Sequence, residues 1–80
     1  MEDPCQTRLQ TARLLESRLL RLEYEKASLH VDLEDSCRQQ RASANGAEWE
    51  ELKITVDLLL DALDQNAVRV AHLERALASV

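Results

Sequence analysis

Residues 49–80 read WEELKITVDLLLDALDQNAVRVAHLERALASV, a stretch with neither glycine nor proline. Trp49, Leu52, Val56, Leu59, Leu63, Asn66, Val70, Leu73, Leu77 and Val80 follow one another at alternating spacings of three and four, and all but Asn66 are apolar. At 3.6 residues per turn that spacing keeps them on one side of an α-helix, whereas a strand needs alternation by two. Sustained over several heptads it is the seam of a coiled coil, with Trp49, Val56, Leu63, Val70 and Leu77 at a and the others at d.

The same spacing appears upstream in Ala12, Leu15, Leu19, Leu22, Leu29 and Leu33, with Lys26 the charged intrusion. Asp3 followed by Pro4 and Gln6 has the form of a helix start, a capping carboxylate before a proline in the first turn. The apolar pattern fades at Ser36, Gln40 and Ser43. Its frame, extended, puts the next a position at Ala47, but the second repeat has it at Trp49. Two residues turn a helix by roughly 200°, so one straight helix would aim its two seams in nearly opposite directions. Between them, Asn45-Gly46-Ala47-Glu48 reads either as a helix terminator or as a new capping box. The expectation is an all-α, oligomeric coiled coil: a first heptad-repeat helix over 4–43, a break or hinge over 44–47 near Asn45-Gly46, and a second heptad-repeat helix over 48–80.

Composition narrows the rest. Eighty residues make at most one small domain, and a chain of this size usually completes its core by oligomerising. Charged residues make up 31%, aromatics are confined to Tyr24 and Trp49, and one glycine and one proline leave little material for turns. A net charge of −5 opposes nucleic-acid binding, and no dense basic run precedes the leucines. The longest apolar run, Leu58–Leu60, is too short to cross a bilayer, and an acidic amphipathic chain is poorly suited to a membrane surface. A cytoplasmic setting with reduced thiols is the expectation for Cys5 and Cys37, which lack CxxC spacing. His30 and His72 have no histidine or cysteine three or four residues away, so no metal is expected, and the helical pattern offers no cavity to hold catalytic carboxylates. Neither enzyme activity nor a cofactor is expected.

The seam residues from Ala12 to Leu77 are therefore the expected oligomer interface, with Asn66 able to specify register because a buried amide must find a partner. In a parallel homodimer Arg18 would face Glu23, and Arg69 would face Glu74. A second stripe, Leu20, Tyr24, Ala27 and Val31, lies off the seam of the first helix, and Leu60 widens the apolar face of the second. These five are the candidate contacts for a further helix, which for the stripe of the first helix is either the second helix folded back as a hairpin or a helical segment of another protein. A homodimer, a higher-order assembly and a dimer of helical hairpins all fit the pattern. Asp57, Asp61 and Asp64 form an acidic outer stripe of the kind that normally faces solvent. The pattern resembles the coiled-coil regions of cytoskeletal, centrosomal and membrane-trafficking scaffolds along the whole chain. The expected function is a dimerisation segment of a larger scaffold, with a partner-recruiting adaptor as the alternative.

Overall fold

A computed structural model describes residues 4–80, and the expected cap at Asp3 lies outside them. The described chain is two long α-helices, α1 (Pro4–Ala42) and α2 (Gly46–Ala78), folded back on each other as an antiparallel hairpin. Its principal extents are 66 × 16 × 15 Å, a rod two helices thick. One unbroken helix of eighty residues would be about 120 Å long.

The turn is built from local hydrogen bonds. The Ser43 amide donates to the Gln40 carbonyl at 3.3 Å, closing α1 with a tighter last turn. The Ser43 hydroxyl donates to the Asn45 carbonyl at 3.1 Å. Asn45 sits in extended backbone, φ −104° and ψ 123°, and its side-chain oxygen accepts from the Ala47 amide at 3.0 Å. The Trp49 amide then donates to the Asn45 carbonyl at 3.0 Å, the first bond of α2. Of the two readings open to this tetrapeptide, the structure has Asn45 as the N-cap of α2. Gly46 is the first helical residue, with no positive φ, and acts as neither terminator nor hinge.

Burial follows the three-and-four spacing. On α1, Leu15 and Leu22 are buried, and Ala12, Leu19, Leu29 and Leu33 are half-buried. The same face continues through Ser36, Cys37 and Gln40, all half-buried, beyond the point where the apolar pattern fades. Hairpin closure causes this, because side chains on the inner face near the turn are covered by the returning helix whatever their hydropathy. On α2, Leu52, Val56, Leu59, Leu63, Val70, Leu73 and Leu77 are half-buried and Asn66 is buried. Lys26, Trp49 and Val80 are exposed. Lys26 keeps its ammonium in water at little cost because its stem is long.

Candidate interaction surfaces

Three surfaces follow from this geometry. The first is the face between the helices, which the chain fills with its own residues. Near its middle, Asn66 is only 1% exposed, and its side-chain amide donates to the Leu22 carbonyl at 3.0 Å. A helix carbonyl has a second lone pair, so Leu22 can accept this bond without giving up its intrahelical one. The other end of the same amide, Asn66 Oδ1, is buried without a partner. Such an orphan costs on the order of 1–3 kcal/mol, so the contact of Asn66 with α1 comes at an expense in stability. Lys26 lines the same cleft as Asn66, together with His30 and Glu74.

The second surface is the outer stripe. Leu20, Tyr24, Ala27, Val31 and Leu60 are all exposed, Tyr24 most of all at 70%. Leu20, Glu23, Tyr24 and Ala27 border a shallow recess on α1. The hairpin covers none of them. The acidic stripe Asp57, Asp61 and Asp64 is likewise exposed, Asp61 accepting a hydrogen bond from Gln65 at 3.1 Å.

The third surface did not emerge from the sequence. Arg18 and Arg21 on α1 and Arg69 and His72 on α2 border one cleft, floored by Leu22 and Leu73. In a parallel pair, Arg18 and Arg69 would each meet a glutamate of the other chain. Antiparallel folding sets them beside each other instead, since antiparallel helices bring like heptad positions to the same flank. Among the described residues the one ion pair is Arg38 to Asp35, at 3.4 Å and largely exposed, so none of these three arginines is neutralised within the chain.

No described helix is long and apolar enough to cross a membrane, and no group of three or more His, Cys, Asp or Glu among the described residues is placed to hold a metal ion. No protein-family model, curated protein or solved structure matches the chain.

Proposed function

We propose that the chain is a helical-hairpin assembly module whose activity is association with a second copy of itself. The observation that carries this reading is the poverty of the hairpin's own core. Among the described residues only Leu15 and Leu22 of the apolar side chains are buried, while eleven large ones, from Leu9 to Val80, are exposed. Two helices cannot enclose side chains on more than one stripe of each, and apolar area left in water contributes nothing, so further helices complete the core. A coiled coil between two extended chains would use the same seam residues as the hairpin, so the two arrangements are mutually exclusive. A cytoplasmic scaffold of cytoskeletal or trafficking type is the setting in which such a module fits, on the strength of its heptad resemblance.

Light scattering coupled to small-angle X-ray scattering on reduced protein tests this. Twice the monomer mass in a rod near the 66 Å length of the hairpin is the expected result. A monomer at all concentrations overturns self-association, and a dimer near 120 Å points to extended chains.

The exposed stripe favours a second reading, an adaptor that takes a helix of another protein across Leu20, Tyr24 and Val31. Alanine at these three positions separates the two. A self-assembling module that uses another face keeps its mass, whereas an adaptor loses its ligand.

A further inference from the structure

One flank of the hairpin has its charges fully segregated. On α1 the stripe beside the buried face runs Leu14, Arg18, Arg21, Glu25, Ser28, Asp32, Asp35. The matching stripe of α2 runs Glu48, Glu51, Thr55, Leu58, Ala62, Gln65, Arg69, His72, Ala76. Antiparallel folding brings both to one side, as the shared cleft of Arg18, Arg21, Arg69 and His72 shows. The three arginines of this flank, with His72 beside them, therefore lie towards the open end. Four carboxylates, Asp32, Asp35, Glu48 and Glu51, lie towards the turn, and Glu25 lies near the middle. All of these side chains are exposed.

We propose that this flank is the self-association surface and that the second copy lies on it antiparallel, related by a two-fold axis across the middle of the rod. The proposal rests on the self-association reading and specifies its geometry. A parallel arrangement of the same two faces sets arginine against arginine and carboxylate against carboxylate. The antiparallel one sets the arginines against the carboxylates Asp32, Asp35 and Glu51 of the other copy, and leaves Glu25 opposite Ser28 beside the axis. With α1 against α1 of the second copy, one register sets Arg18 opposite Asp35 and Arg21 opposite Asp32. With α2 against α2, one register sets Arg69 opposite Glu51 and His72 opposite Glu48, with Leu58 on Ala62 at the axis. Asp35 would then be shared between Arg18 of the second copy and its own Arg38.

The two registers imply nearly the same axis. On α1 it falls between Glu25 and Ser28, and on α2 midway between Leu58 and Ala62. The hydrogen bond between Leu22 and Asn66 ties the levels of the two helices together, and on that scale the axes differ by about 2 Å. A rigid hairpin can therefore satisfy both helices at once, as a closed two-fold interface requires. At the centre of α2, Leu58 and Ala62 are apolar, which lets those helices approach, while on α1 Ser28 faces Glu25. The apolar floor of Leu22 and Leu73 between the arginines would be covered by the second copy.

A charge-swap experiment on the full chain tests this. Variant one carries Arg18→Glu, Arg21→Glu and Arg69→Glu, and variant two carries Asp32→Lys, Asp35→Lys and Glu51→Lys. Sedimentation equilibrium is expected to show each alone with a dimer dissociation constant at least about a hundredfold above that of the original chain, since repulsion replaces several weak attractions. An equimolar mixture of the two is expected to recover the dimer, with a dependence on salt like that of the original chain. Recovery in the mixture distinguishes loss of pairing from loss of folding. If the original chain dimerises and both variants still do so alone, the association surface lies elsewhere and this proposal fails while self-association stands. Failure of the mixture to recover while both variants stay helical by circular dichroism also overturns it. A monomeric original chain overturns both.

Discussion

Asn66 concentrates the conflict between stability and specificity in this molecule. Its amide reaches across to Leu22, but its carbonyl oxygen is sealed in without a donor. Leucine at this position removes the orphan and adds apolar contact, so Asn66→Leu is expected to raise the hairpin's stability by about 1–3 kcal/mol in urea unfolding. It should also lose the register lock, seen as broader, slower-exchanging amide resonances near Leu22. Asn66→Asp buries a charge with no cation bonded to it and is expected to cost about 3 kcal/mol or more. An unchanged urea midpoint in both variants would mean that Asn66 is solvated. Asn66 is legible in the sequence as the lone polar residue of the second seam. What spacing alone does not contain is the identity of its partner, because a backbone carbonyl on another helix is set by tertiary register.

At the scale of the elements, the two helices are legible from periodicity and from the scarcity of glycine and proline. The junction is legible from the two-residue slip between the apolar frames. The role of each junction residue is not, because Asn-Gly serves equally as the end of one helix and the start of the next until a φ angle is known. The structure makes Asn45 the cap and leaves Gly46 in helical backbone, where an added Cβ meets nothing within 4 Å. Gly46→Ala is accordingly expected to stabilise α2 by roughly 0.5–1 kcal/mol, through lost freedom of the unfolded chain. Asn45→Ala should cost about 1 kcal/mol by leaving the Ala47 amide unsatisfied. Thermal melts followed by circular dichroism measure both. Had Gly46 been a left-handed terminator, alanine there would destabilise instead. The cluster of Arg18, Arg21, Arg69 and His72 is not legible in the sequence for a related reason. Which charges become neighbours depends on whether the helices run parallel or antiparallel, and heptad spacing is the same for both.

At the scale of the whole molecule, the direction of the second helix controls everything proposed. Folded back, the chain uses its seam internally, leaves Leu20, Tyr24 and Val31 outside, and divides one flank into a cationic and an anionic half. Extended, it would offer the seam to another chain and scatter those charges along a rod twice as long. The most direct test is a within-chain distance between the two ends of the hairpin. Spin labels at Gln10→Cys and Arg75→Cys, with Cys5 and Cys37 replaced by alanine and labelled protein diluted in unlabelled, can be measured by pulsed electron paramagnetic resonance. The hairpin predicts a separation below about 30 Å, two helix diameters plus the labels. A distance near 100 Å, the span of about sixty-five helical residues at 1.5 Å each, would contradict it.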